Sequence, residues 1–149
     1  MSAPPVIGRW CAAALLATPD GRYLMQHRDD KPGILLPGHW ALFGGTVDPG
    51  EAAEQAMRRE LREELEFAAG EVAYFTEMIV ELPLDPKRTD RMSFFAVPVT
   101  AAEIAAMVQH EGQGKRLFAP EELARETRVA PWDLAAVLMH ARRLSLFRR

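Results

Sequence analysis

The chain has 149 residues, of which 48% are hydrophobic and 26% charged, with one cysteine and a formal net charge of −3 at pH 7. This length and apolar content predict a single domain over residues 1–149 with a full core. The composition argues against a disulfide framework, against a nucleic-acid polymer as partner, because the basic residues are spread out, and against a membrane span.

The start of the chain, residues 2–5, lacks the charged and apolar regions of a signal peptide. We therefore expect a cytoplasmic protein whose ligand is a small molecule. The sequence leaves a homodimer open.

The first half of the chain predicts strands joined by glycine-rich or proline-rich loops. Apolar patterning predicts strands at residues 8–17, 22–27 and 40–46. The turn at residues 19–21 separates the first two strands, as in a hairpin. Residues 29–38 hold two prolines and two glycines, which predicts a loop at the rim of a substrate cleft.

A helix predicted at residues 51–66 places three acids together. With about 100° of rotation per residue, Glu60, Glu63 and Glu64 share one face beside the apolar stripe. Like charges four residues apart cost an isolated helix roughly 0.2 to 0.5 kcal/mol, so we expect a cation to offset them. Carboxylates suit Mg²⁺, which often keeps waters and substrate phosphates in its coordination shell. The pattern therefore predicts a metal–diphosphate site.

The residues before this helix strengthen the prediction. Gly44 and Gly45 let the backbone approach a ligand closely, which assigns Gly45 to substrate and the Gly44 carbonyl to the metal. Glu51 opens the helix, where the helix dipole favours a carboxylate. An ordinary solvated helix with pairs such as Arg59 and Glu63 would explain the helix but not the upstream residues at their offsets.

The second half of the chain completes the predicted sheet. Strands are predicted at residues 71–82, 91–99 and 115–118. Helices are predicted at residues 120–125 and 132–146. Strands with helices on either side indicate a layered sandwich.

Residues 45–67 resemble the signature box of the Nudix hydrolases. The resemblance implies an α/β/α sandwich with a mixed β-sheet that hydrolyses a pyrophosphate bond in a nucleoside diphosphate derivative, using Mg²⁺ or Mn²⁺. An oxidised nucleoside triphosphate is one such substrate. The box departs from the family at Glu66, where Gly is usual, so we expect a longer or differently capped helix there. A second departure is Phe43, where Pro commonly precedes the glycines.

The box implies a role for each of its charged residues. Glu60 and Glu64 would be the principal metal ligands. Glu63 would share a metal or orient water. Arg59 would hold a neighbouring carboxylate such as Glu51.

A weaker resemblance extends beyond the box to the bacterial mutator-type enzymes that clean oxidised nucleotides from the triphosphate pool. Glu111 matches a Glu that approaches the metals as ligand or base. Arg28 and Arg91 fall at positions resembling substrate-contacting arginines. The base-recognising Asn of those enzymes has no clear counterpart near residues 130–132.

Three alternatives stay open at this point. The substrate could be a nucleotide sugar or a dinucleotide. The domain could be a nucleotide-sensing or protein-binding module without turnover. The third is a plain amphipathic helical protein with coincidental acids.

Overall fold

The structure, a computed structural model, describes residues 7–84 and 87–145. Within these ranges seven strands form one mixed sheet. They are β1 (Ile7–Ala17), β2 (Tyr23–His27), β3 (Trp40–Ala41), β4 (Phe43–Thr46), β5 (Ala73–Leu82), β6 (Arg88–Pro98) and β7 (Gly114–Phe118). The strand order is β3-β2-β1-β6-β5, while β4 pairs with β1 and β7 pairs with β2. Strands β1 and β6 run parallel, and the other pairs are antiparallel.

Four helices in the described ranges cover the sheet. They are α1 (Ala53–Leu65), α2 (Ala101–Ala106), α3 (Pro120–Arg125) and α4 (Pro131–Arg142). No helix in these ranges is long and apolar enough to cross a membrane.

Each face of the sheet packs on its own helix layer, because successive side chains of a strand point to opposite faces. One core cluster includes Ala12, Ala14 and Leu16 of β1 with Met57, Leu61 and Leu65 of α1. The other includes Leu15 of β1 with Leu123 of α3 and Ala136 and Val137 of α4. The predicted α/β/α sandwich with a mixed sheet is confirmed.

The predicted elements differ from the structure most in three places. Residues 40–46 form two strands, because the N–H of Leu42 donates to the carboxylate of Asp133 at 2.9 Å and leaves the strand ladder there. Helix α2 was not predicted. The last helix begins at Pro131 and ends at Arg142, and residue 146 of its predicted span lies outside the described residues.

The expected change in capping at Glu66 was also wrong. Helix α1 ends at Leu65, and Glu66 takes the left-handed conformation (φ 51°, ψ 36°) that Gly usually supplies. Its N–H still donates to the carbonyl of Arg62 at 3.0 Å. The turn that ends α1 thus has the usual left-handed conformation, although a glutamate in this conformation is strained.

Candidate active site

Glu64 is a buried carboxyl group that lies beside other acids and has one oxygen without a hydrogen-bond partner. Its residue is 5% exposed, and its Oε2 is buried without a hydrogen-bond partner. Burial, followed by the charges of Glu111 and Glu60, raises the pKa of Glu64 to about 9. A cation beside this group would favour its charged form and so oppose that shift.

Glu111 reaches the same place from a different part of the chain. The segment of residues 107–112 lies on the C-terminal end of α1, where the N–H of His110 donates to the carbonyl of Glu64 at 2.8 Å. The charge of Glu111 contributes to raising the pKa of both Glu60 and Glu64, after the larger effect of burial. The fold therefore brings Glu60, Glu64 and Glu111 together, although Glu111 lies about fifty residues further along the chain.

Arg59 links the acids of this region. Its Nε and Nη2 form a fork on the Glu51 carboxylate at 2.9 and 3.0 Å. Its Nη1 donates to Glu60 at 2.8 Å and to Glu63 at 3.4 Å. This fork lowers the pKa of Glu51 to about 2 and raises the pKa of Arg59. The Arg59 guanidinium thus holds Glu51, as expected from the sequence, and it also fixes the Glu60 carboxylate.

Gly44 and Gly45 both lie very close to neighbouring groups. A Cβ at Gly44 would collide with the carbonyl of Ala12, and a Cβ at Gly45 would collide with the carboxylate of Glu60. The Gly44 backbone also bonds to the carboxyl group of Glu64. Strand β4 can lie against β1 only because Gly44 carries no side chain, whereas a side chain at Gly45 would displace the Glu60 carboxylate.

The acids fit a divalent cation that takes part of its shell from other molecules. Within residues 7–84 and 87–145 no group of three or more His, Cys, Asp or Glu side chains is already arranged to hold an ion. A closed cage is not needed, since Mg²⁺ is commonly held by one or two carboxylates plus waters and phosphates. Glu64, with its unpartnered oxygen, and the neighbouring Glu60 supply such a pair.

A cavity of about 120 Å³ adjoins these acids at Gly44 and Gly45. It lies on the α4 side of the sheet. Its other lining residues include Arg28, Leu35 and Leu36 from the loop after β2, Cys11 and Ala13 from β1, Met92 from β6, and Trp132 and Asp133 from α4. Such a mixture of apolar walls and a few polar groups is typical of ligand pockets.

Asp133 is the functional candidate that the sequence did not reveal. Its carboxylate accepts the N–H of Leu42 at 2.9 Å. Burial raises its pKa to about 7, partly offset by the bond from Leu42 and by the charge of Arg28. The sequence feature that could have identified Asp133 is its position between Trp132 and Leu134 at the start of an apolar helix. A carboxylate there also suits the helix dipole, so the signal is weak.

The two predicted substrate arginines lie in different places. Arg28 lines the cavity, and its Nε donates to the carbonyl of Leu35 at 3.0 Å. Arg91 donates twice to Glu77, at 3.0 and 2.9 Å, and lies 4.1 Å above the ring of Trp10. Arg91 is not among the residues that line the cavity, and its contact with substrate stays a prediction.

The model of the NUDIX domain matches residues 9–138. The chain belongs to the Nudix family. This match covers both the acidic helix α1 and the cavity residues of α4, so the alternative of an unrelated amphipathic protein is excluded.

Proteins of known sequence and structure resemble the chain to different extents. Nucleoside triphosphatase NudI of Escherichia coli O1:K1 is 51% identical over 59 residues, which are 40% of this chain and 38% of that protein. The matched stretch therefore spans well under half of the relative. The solution structure of the E. coli ORF135 protein is 28% identical, with a TM-score of 0.71 over 92% of this chain and 91% of that one.

A second solved structure extends the likeness in fold. The crystal structure of the MutT NUDIX hydrolase from Burkholderia pseudomallei is 22% identical, with a TM-score of 0.68. It covers 87% of this chain and 95% of that one. At this identity the likeness shows the fold alone.

Proposed function

We propose that this Nudix domain hydrolyses a pyrophosphate bond in a nucleoside diphosphate derivative, with a nucleoside triphosphate as substrate, and that Mg²⁺ supports the reaction, with Mn²⁺ able to replace it. One observation carries the proposal. It is the buried Glu64 carboxyl, which has an unpartnered oxygen and two acidic neighbours that a divalent cation would neutralise together. The printed name of the NudI relative supports the substrate class.

In this proposal Glu60 and Glu64 would hold the ion, and Glu63, Glu111 and the Gly44 carbonyl would be further candidate ligands. A bound Mg²⁺ would neutralise the diphosphate and lower the pKa of a water molecule. Glu111 or Glu63 then accepts a proton from the attacking water. Arg59 acts through Glu51 and Glu60, because its fork on Glu51 and its bond to Glu60 fix the direction of both carboxylates.

The cavity supplies the place for the nucleoside end of the substrate. At about 120 Å³ it is much smaller than the roughly 300 to 1,000 Å³ of pockets that enclose a whole drug-sized ligand, so it suits a single ring system. Gly44 and Gly45 lie between the cavity and Glu60. A triphosphate that crosses these glycines would place its base in the cavity and its phosphates beside the acids.

The test of catalysis is a pair of variants on one helix. Glu64→Gln removes the proposed ligand charge and should lower Mg²⁺-dependent release of phosphate or pyrophosphate by orders of magnitude while the fold stays intact. Glu54→Gln is the matched control, because Glu54 is 47% exposed and pairs only with Arg58 on the solvated side of α1. Near wild-type hydrolysis by Glu64→Gln would overturn the assignment.

The substrate is tested with a panel of nucleoside triphosphates, dinucleotides and sugar nucleotides, with products identified by mass. Labelled water would show which phosphorus is attacked. A nucleotide-sensing module without turnover predicts binding of some of these compounds and release of none. Preferential hydrolysis of sugar nucleotides or dinucleotides would replace the triphosphate proposal while keeping the chemistry.

A further inference from the structure

Leu36 has a backbone conformation that leucine rarely adopts. Among the described residues, the non-glycine residues with positive φ are Leu36, at 52°, and Glu66, at 51°. In the same loop Gly33 and Gly38 take positive φ of 89° and 68°. The loop thus has glycine at two of its three left-handed positions and a large apolar side chain at the third. Glycine would satisfy the backbone at all three, so the backbone alone does not explain Leu36.

The surrounding structure holds Leu36 in this conformation. Three consecutive carbonyls are fastened, those of residues 35, 36 and 37. They accept from Arg28 Nε at 3.0 Å, from the His39 N–H at 3.3 Å and from Arg128 Nη2 at 2.7 Å. A strained residue that is fixed by several independent bonds is commonly found at a ligand site.

Leu36 and Leu35 line the cavity from the loop side, while Met92 lines it from the sheet and Asp133 from α4. Leu36 is half-buried, so part of its side chain is available to a molecule that enters. The cavity therefore combines an apolar wall from the loop with a polar group from the helix. A planar base could pack its face on the first and present an edge to the second.

We propose that Leu36 is a specificity-determining residue, whose side chain forms the loop-side wall against the nucleobase, and that Arg28 is the positioning residue that holds this wall through the Leu35 carbonyl. The inference rests on the proposed function, since it assumes a nucleotide in the cavity. It assigns Arg28 to the loop backbone instead of the direct substrate contact expected from the sequence.

The test uses two substitutions at Leu36 and one matched control. Leu36→Ala and Leu36→Gly both remove the wall, whereas only glycine relieves the left-handed backbone. Ile79→Ala removes a similar aliphatic side chain that is 51% exposed on the edge strand β5 and does not line the cavity. The measurements are kcat and KM for purine and pyrimidine nucleoside triphosphates, the melting temperature, and calorimetric binding of an α,β-methylene triphosphate.

Both Leu36 variants should raise KM by on the order of 10-fold with little change in kcat, because a contact present equally in the ground and transition states is lost. The kcat/KM ratio should shift toward the larger purine bases, since the cavity is enlarged. Leu36→Gly should melt roughly 3 °C above Leu36→Ala, because the strain is relieved. Ile79→Ala should keep the wild-type KM and base preference.

Wild-type KM and base preference in both Leu36 variants would overturn the inference and leave the proposed hydrolysis standing. If the wild type binds the methylene analogue but hydrolyses nothing, the proposed function fails, and the dissociation constants of the same variants decide the role of Leu36. If the wild type does not bind the analogue, both proposals fail.

Discussion

Glu64 and Asp133 are both buried carboxyl groups, and their partners set them apart. Glu64 has an oxygen without a partner and faces two further acids. Asp133 accepts the N–H of Leu42 and lies in the field of Arg28. Asp133 therefore has a donor and a nearby positive charge, whereas Glu64 is one of several carboxylates that a divalent ion can neutralise together.

The raised pKa of Asp133 predicts a pH-dependent stability. Its folded pKa of about 7 lies above the ordinary value of 3.8. Between these values the native protein keeps a proton that the unfolded chain releases, so its contribution to stability is full below pH 4 and is lost as pH rises through 7. Asp133→Asn keeps an acceptor for the Leu42 N–H but cannot ionise. The variant should therefore be more stable than wild type at pH 8, by at most about 4 kcal/mol at about 1.36 kcal/mol per pH unit.

Urea denaturation at several pH values between 4 and 8 measures this difference. Subtracting the wild-type curve from the Asp133→Asn curve isolates Asp133 from other groups, Glu64 included. The control is Asp30→Asn, because the side chain of Asp30 is 60% exposed. Parallel curves for wild type and Asp133→Asn would show that this carboxyl group titrates normally.

The sequence could predict which face of a helix a side chain occupies, but not how deeply the fold buries it. The helical wheel correctly placed Met57 and Leu61 in the core. It placed Glu60, Glu63 and Glu64 together at the edge of the buried side, but Glu64 is buried, Glu60 is half-buried and Glu63 is exposed. The burial of Asp133 depends on the N–H of Leu42, which lies 91 residues away. No local pattern carries that information.

At the scale of elements, long periodic segments were predictable and a short helix was not. Strand β1 has 11 residues and is apolar over most of its length, and α1 has 13 residues with an amphipathic pattern. Helix α2 has six residues and buries none of them, so it shows no hydrophobic period. Its one readable signal was the capping box formed by Thr100 and Glu103.

The cap of α2 gives a prediction at this scale. The Thr100 hydroxyl accepts the N–H of Glu103 at 3.1 Å, and the Glu103 carboxylate accepts the N–H of Thr100 at 3.0 Å. Because this helix has no fully buried residue, and Ile104 is only partly buried against the core, its cap should matter. Thr100→Ala should lower the free energy of unfolding by about 1 kcal/mol and speed amide exchange in residues 101–106.

Thr100→Ser is the matched control, since serine keeps the hydroxyl acceptor and should restore both values. Urea denaturation and hydrogen exchange provide the two measurements. Equal exchange rates in Thr100→Ala and wild type would mean that the helix persists without its cap.

At the scale of the whole molecule, the sheet separates two half-sites that meet at Gly44 and Gly45. Helix α1 and residues 107–112 bring the acids to one side. The loop after β2 and the start of α4 enclose the cavity on the other. A ligand that spans this boundary would contact both helix layers. The proposed path of the ligand between the two half-sites therefore depends on the two glycines.

Metal binding should stabilise the whole fold, because the proposed ion lies between α1 and the segment that carries Glu111. An ion that binds only the native state adds about 2.7 kcal/mol at a concentration 100 times its dissociation constant, which is about 5 to 10 °C for a chain of this size. The wild-type melting temperature should rise in this way as Mg²⁺ is titrated at constant ionic strength, and EDTA should reverse it. Glu64→Gln should lose most of the shift, because the ligand charge is gone, while Glu54→Gln should keep all of it. A wild-type melting temperature that does not respond to Mg²⁺, or an equal shift in Glu64→Gln, would mean that the acids of α1 do not hold the ion.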